Sequence, residues 1–469
     1  MRFRFARFLL IFCSAWWTFG KSLADDSRPN ILFIFADDWG WGDLSCHGHP
    51  YVRTPNIDRL AREGTDFQRF TVASGVCSPS RAALMTGHFP ARYNIDGHFA
   101  WVPSNAKRNM PDWLDPGCVT LPRLLQQGGY ATAHFGKWHL ANDMIPDSPL
   151  PGVYGYDVFG AFNCSGEQMP VHEDAGRAAR FIRQSHEAGK PFFVNLWIHE
   201  PHTPFHVMPK YRWPFRDGGL DETDEIYASV LAHADDRIGR VLRTIDRLGI
   251  AENTLVVFSS DNGPARAKPG AILSLGYDTA TGAGYGIAAS KGITAGRKGY
   301  KASLFEGGIN VPFIVRWPGK INAGQVDRQL MISAVDILPT FCEIAGVEIP
   351  DGYQLDGISQ VKAIRGDSEP GRSKPLFWRI GGRGKPGADS FHWVRYCVVD
   401  RNWKLLGNED LSYVELYDIV SDPYEKTNLS SSMTDLSMRL KAKVSEWVAT
   451  LPETPDPKNF SVLRQGIAE

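Results

Sequence analysis

Asn30-Ile31-Leu32-Phe33-Ile34-Phe35-Ala36 runs apolar after its first residue and then gives way to Asp37-Asp38. The design recurs. Residues 130–135 lead into Gly136-Lys137-Trp138-His139, residues 192–198 into His199-Glu200-Pro201-His202, and residues 254–259 into Ser260-Asp261-Asn262-Gly263. Continuous rather than alternating hydrophobicity marks strands buried on both faces, as in a parallel sheet. Between these runs, residues 57–63, 120–127 and 227–248 are amphipathic. The last puts Val230, Leu231, Ile238, Val241, Leu242 and Ile245 on one helical stripe. Strands alternating with helices predict an α/β fold with a large, mostly parallel sheet flanked by helices. Ligands in such sheets bind beyond the carboxyl ends of the strands. Here four strands deliver Asp, Lys, His or Asn to that edge.

From about residue 370 the texture changes. Residues 392–399 and 402–406 flank a turn at Asp400-Arg401, and residues 415–419 follow, closed by Asp422-Pro423. Short strands with turn signals predict an antiparallel sheet. A helix from about Thr434 follows, burying Leu436, Leu440, Val444, Trp447 and Val448. The expected division is a catalytic α/β domain over 25–365 and a smaller C-terminal α+β subdomain over 366–469. Residues 282–299, rich in Gly and Ala without periodicity, read as a mobile loop beside the site.

The first 24 residues read as a signal peptide. Arg2, Arg4 and Arg7 precede an apolar run over 8–19 that is too short to span a bilayer, and Ser22-Leu23-Ala24 supplies a cleavage pattern. Export is therefore expected, to a periplasmic, secreted or lysosome-like location, and no later segment is apolar for long enough to cross a membrane. Net charge over the 469 residues is −1. That excludes a polybasic field for nucleic acid or an anionic membrane, so an anionic substrate must be held by a few placed cations. Six cysteines follow the signal, at 46, 77, 118, 164, 342 and 397, with no CxxC pair. Neither a zinc ribbon nor a dense disulfide scaffold fits, and the pairing stays open.

Candidate chemistry begins at Cys77-Ser78-Pro79-Ser80-Arg81, which opens a short helix ending at Gly87. Ser78 reads as the cap, Pro79 as a first-turn residue and Gly87 as a left-handed stop. The free N–H groups at such a helix mouth suit an anion, and Arg81 adds a fixed cation one turn in. Asp37-Asp38 and Asp261-Asn262 offer four oxygen ligands from two strand ends, a donor set for Ca²⁺ or Mg²⁺ rather than zinc. Lys137 and His139, two apart, would share one face of an extended segment. His199 and His202 bracket a proline turn, and Cys46-His47-Gly48-His49 reads as a turn rather than a metal cluster. Each pattern is common alone. Their joint, ordered occurrence is not.

That set resembles the formylglycine-dependent sulfatases of the alkaline phosphatase-like superfamily. The matching segments include Ala36-Asp37-Asp38-Trp39-Gly40, Thr54-Pro55-Asn56-Ile57-Asp58-Arg59-Leu60-Ala61 and the Cys77 motif. They continue with Gly136-Lys137-Trp138-His139, Pro201-His202-Thr203-Pro204, Ser260-Asp261-Asn262-Gly263 and Lys301 through Glu306-Gly307-Gly308. Leu416-Tyr417-Asp418, Asp422-Pro423 and Asn428-Leu429 are similar to the family's C-terminal part.

The resemblance implies that a separate formylglycine-generating enzyme oxidises Cys77 to an aldehyde whose hydrate is the nucleophile. Asp37, Asp38, Asp261 and Asn262 would hold Ca²⁺, which also touches the residue at 77. Arg81 would steady the formylglycine, and Lys137 and Lys301 would bind sulfate oxygens. Lys301 rather than Lys298 is expected there, five residues before Glu306. His202, with Lys301, would protonate the departing alcohol, and His139 would deprotonate the second hydroxyl to expel sulfate. The implied activity is sulfuric ester hydrolysis on a sulfated small molecule or saccharide. The carbohydrate reading rests on aromatic segments such as Tyr211-Arg212-Trp213 and on the family. One departure is Asn310, where the family usually carries Arg. Two alternatives differ in substrate or class: a phosphodiester or phosphonate hydrolase with the same nucleophile, and a non-catalytic glycan-binding relative. The all-oxygen metal set disfavours the first, and the intact nucleophile, ligands and histidines disfavour the second.

Overall fold

The computed structural model describes residues 28–465 apart from 217, 280, 368–370, 383–384 and 387–390. The signal segment expected at 1–24 lies outside the described residues. In chain order the strands are β1 Asn30–Ala36, β2 Thr65–Thr71, β3 Ala131–Lys137, β4 Val158–Phe162, β5 Phe192–Trp197, β6 Phe205–Val207, β7 Thr254–Ser260, β8 Ser274–Asp278, β9 Gly282–Tyr285, β10 Phe313–Arg316, β11 Gln325–Ser333, β12 Leu376–Arg379, β13 Tyr396–Asp400, β14 Trp403–Gly407 and β15 Val414–Asp418.

Eight of them form one sheet in the order β11-β2-β10-β7-β1-β5-β3-β4. β10 runs antiparallel to both neighbours, and every other pairing is parallel. β1 lies near the centre with all seven residues buried. Ile31, Phe33 and Phe35 face one apolar cluster, while Leu32, Ile34 and Ala36 face the other. This is why the strand reads as an unbroken apolar run: both faces are covered. Helices Asp174–Glu187 and Glu222–Arg247 pack on the second face. Helices Cys77–Thr86, Leu121–Gln127 and Ile337–Ala345 pack on the first.

The C-terminal strands form an antiparallel sheet in the order β12-β13-β14-β15. Its Trp378, Leu405 and Leu416 join the same apolar cluster as Phe33 and Leu84. Helix Thr434–Val448 buries Leu440, Val444 and Trp447, and Trp447 stacks on Phe377 with ring centroids 5.0 Å apart. Leu436 and Val448 are only partly buried.

Several local expectations need correction. The turn between β13 and β14 falls at Arg401-Asn402, not Asp400-Arg401, because Asp400 pairs with Trp403 and Arg401 takes φ 59°. Left-handed turn positions usually advertise themselves with Gly, Asn or Asp, and Arg gives no such signal. The long helix starts at Glu222, five residues before the amphipathic segment read at 227–248, because the Asp221 side chain accepts from Asp224 N and caps it. Ser78 is not the cap of the Cys77 helix. That position belongs to Val76, and Ser78 Oγ instead accepts from Phe99 N at 2.9 Å. Gly87 does close the helix, at φ 68°, donating to Ala83 O.

Residues 282–299 are not loop throughout. Gly282–Tyr285 forms β9, which pairs with β6 and β8 in a three-stranded sheet, while 290–299 carries no regular structure and is tied down at Ile293, whose carbonyl accepts Gly42 N at 3.0 Å. A Cβ on Gly292 would lie 2.3 Å from Pro264 Cβ and 2.7 Å from Tyr227 Oη, so close packing demands the small residue there.

Candidate active site

β1 and β7 are parallel neighbours in register, with Ala36 opposite Ser260. Their carboxyl ends therefore set Asp37-Asp38 beside Asp261-Asn262. Asp261 N donates to Ala36 O at 3.0 Å, and Asp38 N to Asp261 Oδ1 at 3.2 Å. Asp38 sits at φ 65°, a left-handed conformation that Asp tolerates better than most residues. Asn262 Nδ2 donates to Asp38 Oδ1 at 2.7 Å.

β3 ends at Lys137. The preceding Gly136 has φ 116°, and a Cβ there would lie 1.9 Å from Trp197 O. Lys137 Nζ pairs with Asp37 Oδ2 and lies 3.5 Å from Cys77 Sγ. Cys77, first residue of its helix, is 2% exposed, with Sγ 3.5 Å from Asp37 Oδ1. Arg81, one turn further in, is fully buried. Its Nη2 and Nε reach Asp261 Oδ2 at 2.6 and 3.1 Å, its Nη1 donates to Lys137 O at 3.1 Å, and Trp197 covers it at 4.9 Å. Lys301 Nζ contacts Asp38 Oδ1 at 2.6 Å, whereas Lys298 turns away to Glu415 and Tyr417.

The two histidines close the site. His202 Nε2 lies 3.9 Å from Asp38 Oδ2 while its Nδ1 bonds the Thr203 carbonyl. His139 does not continue β3. At φ 53° it leaves the strand direction, and its Nε2 bonds the Phe99 carbonyl at 3.0 Å. A carbonyl can only accept, so Nε2 carries the proton and Nδ1 keeps its lone pair. That Nδ1 is buried without a hydrogen-bond partner. Thus Lys137 and His139 do not share a strand face.

The electrostatics follow from burial and crowding. Burial, then Asp261, pushes the Cys77 thiol up to about 12, so it is a neutral and poor nucleophile at physiological pH. Burial alone would raise Asp37, but His202, Lys137 and Arg81 bring it well below the ordinary carboxylate value. Asp38 is raised by burial against the pull of Lys301, and Asp261 is raised to about 7 by burial and Asp37. Burial and the Lys137 charge hold His139 well below its usual value, and burial with Lys137 and Lys301 lowers His202.

The donor set fits a hard divalent cation. Three buried carboxylates are crowded here, and Asn262 Oδ1 is buried without a hydrogen-bond partner. Ligand atoms of Asp37, Asp38, Cys77 and His202 lie within 4.8 Å of one another. Asp261 is more engaged than the sequence suggested, because Arg81 takes one of its oxygens and Asp38 N the other.

Residues 29–347 match the sulfatase family model, and residues 298–450 match the model described as N-sulphoglucosamine sulphohydrolase, C-terminal. The chain belongs to the sulfatase family. Among curated sulfatases, N-acetylgalactosamine-6-sulfatase of Sus scrofa is 33% identical over 380 residues, covering 72% of this chain and 66% of the relative. The chain thus spans about two thirds of that relative's length. Among solved structures, Ps i-CgsB in complex with k-i-k-neocarrahexaose superposes with a TM-score of 0.75 at 24% identity, covering 94% of this chain and 96% of the other. The phosphonate monoester hydrolase of Agrobacterium radiobacter shares the fold at a TM-score of 0.60 and 22% identity, covering 90% and 95%. The fold alone therefore does not choose between sulfate and phosphonate.

Asp43 and Glu200, which the sequence did not single out, support the candidate site. Asp43 accepts from Gly40 N, Ile293 N and Tyr227 Oη at 2.8, 2.8 and 2.9 Å, fixing the loop that follows Asp37-Asp38. Glu200 is buried against Arg237 and accepts Asp37 N through its carbonyl at 3.4 Å, anchoring the segment that carries His202. A buried charged pair of this kind leaves no local motif, since its partner lies far away in sequence. Asn310 donates to Glu306 Oε2 at 3.0 Å, and Glu306 in turn pairs with Lys404. Its place is thus beside the contact with the C-terminal sheet.

Proposed function

We propose that this sulfatase family member is an exported sulfuric ester hydrolase that removes sulfate from a sulfated carbohydrate. The observation that carries the reading is the meeting of Cys77, Arg81, Lys137 and Lys301 with Asp37, Asp38, Asp261, Asn262 and His202 at one sheet edge.

Asp37, Asp38, Asp261 and Asn262 would hold a Ca²⁺-type cation beside residue 77, which offsets charge growing on the sulfuryl group when bound. Cys77, matured by a separate formylglycine-generating enzyme, would supply an aldehyde hydrate as nucleophile. The depressed acidity of the buried thiol supports the precursor role over direct attack. Arg81 holds its position through Asp261 and the Lys137 carbonyl, keeping the helix mouth in register with the carboxylates.

Lys137 and Lys301 bind sulfate oxygens, exchanging part of their pairing with Asp37 and Asp38 for the incoming anion. Burial depresses His202 most in the free enzyme, and both lysine charges add to it. A bound sulfate ester offsets the lysine charges, which favours the protonated His202 that donates to the leaving alkoxide oxygen. His139, neutral and with Nδ1 free, accepts the proton whose removal expels sulfate and restores the aldehyde. Its tautomer is maintained by the Phe99 carbonyl.

The carbohydrate assignment draws on the N-acetylgalactosamine-6-sulfatase relatives and on exposed aromatic surface. Trp101, two residues beyond the Phe99 that holds His139, is 55% exposed. Rates on defined sulfated saccharides, set beside an aryl sulfate and an aryl phosphate diester, test the reading. Sulfate release from saccharides should dominate. Faster turnover of the phosphate diester would overturn it in favour of phosphoryl chemistry.

A further inference from the structure

His172, Glu200 and His233 come together from three elements. His172 lies in the turn before helix Asp174–Glu187, Glu200 follows β5, and His233 sits on helix Glu222–Arg247. Each offers one ligand atom within 4.8 Å of the others. His172 Nε2 and Glu200 Oε1 are 3.5 Å apart. Two ligands of a tetrahedral ion at ordinary zinc distances stand about 3.3 Å apart, so little closure is needed.

The stronger sign is what these atoms lack. His233 Nδ1 is buried without a hydrogen-bond partner, and His172 Nε2 and Glu200 Oε1 have only each other, at 3.5 Å, the outer limit of a hydrogen bond, where buried polar atoms are normally well paired. The other oxygen, Glu200 Oε2, is taken by Arg237, which also approaches Asp174 Oδ2 at 3.6 Å. Two carboxylates thus face one guanidinium, and a cation beside Glu200 Oε1 would offset the remaining negative charge. Tyr211 stacks on His233 with centroids 4.4 Å apart and fixes the ring. His206, its ring centroid 5.7 Å from that of His172, adds a third imidazole, its Nδ1 also unpartnered. The His172 side chain is 15% exposed, which leaves a way in.

We propose that His172, Glu200 and His233 form a second metal site, selective for a zinc-like transition ion, with the fourth position taken by water or His206. Two imidazoles and one carboxylate select against Ca²⁺, which prefers an all-oxygen shell. Nothing in the catalytic proposal requires this ion. Its effect would be positional: Glu200 accepts Asp37 N through its carbonyl and stands two residues before His202. Occupancy would therefore fix the segment between Asp37 and His202.

Co²⁺ is a suitable probe because imidazole and carboxylate coordination gives it visible d–d absorption. Chelator-treated full-length protein, held in excess Ca²⁺ to saturate the carboxylate site, is titrated with Co²⁺. One equivalent should bind with a tetrahedral or five-coordinate spectrum and be displaced by Zn²⁺. His172→Asn and His233→Asn should each weaken binding at least tenfold, and Asp38→Asn should not. A wild-type protein giving no cobalt spectrum, or both histidine variants titrating as wild type does, would overturn the site. Anomalous diffraction from wild-type crystals soaked in Co²⁺ gives an answer even where a variant does not fold. The peak should lie among these three side chains, and a peak only at Asp37-Asp38 contradicts the proposal.

Discussion

His139 shows how much chemistry a single backbone contact can set. Its Nε2 is committed to the Phe99 carbonyl, so Nδ1 is the only nitrogen free to accept a proton. Burial and Lys137 keep the ring neutral, which suits a base and not an acid. Replacing His139 by Ala should lower kcat by roughly 10²–10⁴ with little change in substrate affinity, as expected for loss of a proton acceptor. Steady-state kinetics checks this, and an unchanged kcat would remove His139 from the proton path. Arg81 is tied even more tightly, to Asp261, the Lys137 carbonyl and the face of Trp197. Arg81→Met would leave Asp261 buried without its cation, and such a loss costs about 3–5 kcal/mol. Denaturant unfolding should show that loss, and a midpoint near wild type would mean Asp261 is neutralised by other means. Residue identities at the site could be read from the chain because acids, lysines and histidines stand at the ends of apolar runs. Their partners could not, since the Phe99 carbonyl and Glu200–Arg237 have no sequence pattern.

Strands were easier to foresee than loops, for a physical reason. β1, β5 and β7 are covered on both faces, so burial is written into every consecutive residue. β3 is the instructive exception at its end, where Gly136 lets the chain pass against Trp197 O and swing Lys137 into the site. Gly136→Ala would force a contact of 1.9 Å onto backbone at φ 116°. Strain of this kind costs about 1–3 kcal/mol, so lower thermal stability and reduced kcat should appear together. Normal stability would show that β3 and β5 can separate there without penalty. The strand at Gly282–Tyr285 gives no signal in the sequence, because small residues carry no hydrophobic period. Their order comes from backbone pairing and from close approach at Gly292, which composition alone presents as looseness. The helix-cap error at Ser78 has a similar source: a capping residue type was present, but its hydroxyl was engaged by Phe99 N.

Across the molecule, the catalytic edge and the C-terminal sheet are joined by charge as well as by apolar packing. Lys404 on β14 is buried between Glu306 and Glu425 at 2.7 and 2.9 Å, and Glu425 also accepts Glu306 N. Glu306 opens the short helical turn five residues after Lys301. Lys404→Met should leave two buried carboxylates facing each other and cost about 3–5 kcal/mol, lowering the denaturation midpoint. It should also weaken activity through displacement of Lys301, and a variant with wild-type stability would contradict this linkage. The fold class and the two kinds of sheet were visible in the chain, because period and turn chemistry differ between them. The long-range pairing of Lys404 was not visible, because nothing local marks which acids a buried lysine will meet.

The identity of residue 77 in the working enzyme decides the mechanism. Protein with measured sulfatase activity should be digested and the peptide containing Cys77 analysed by mass spectrometry. An aldehyde in place of the thiol, in proportion to specific activity and absent from an inactive Cys77→Ala variant, is the predicted result. Fully active enzyme carrying only intact cysteine at that position would contradict the mechanism.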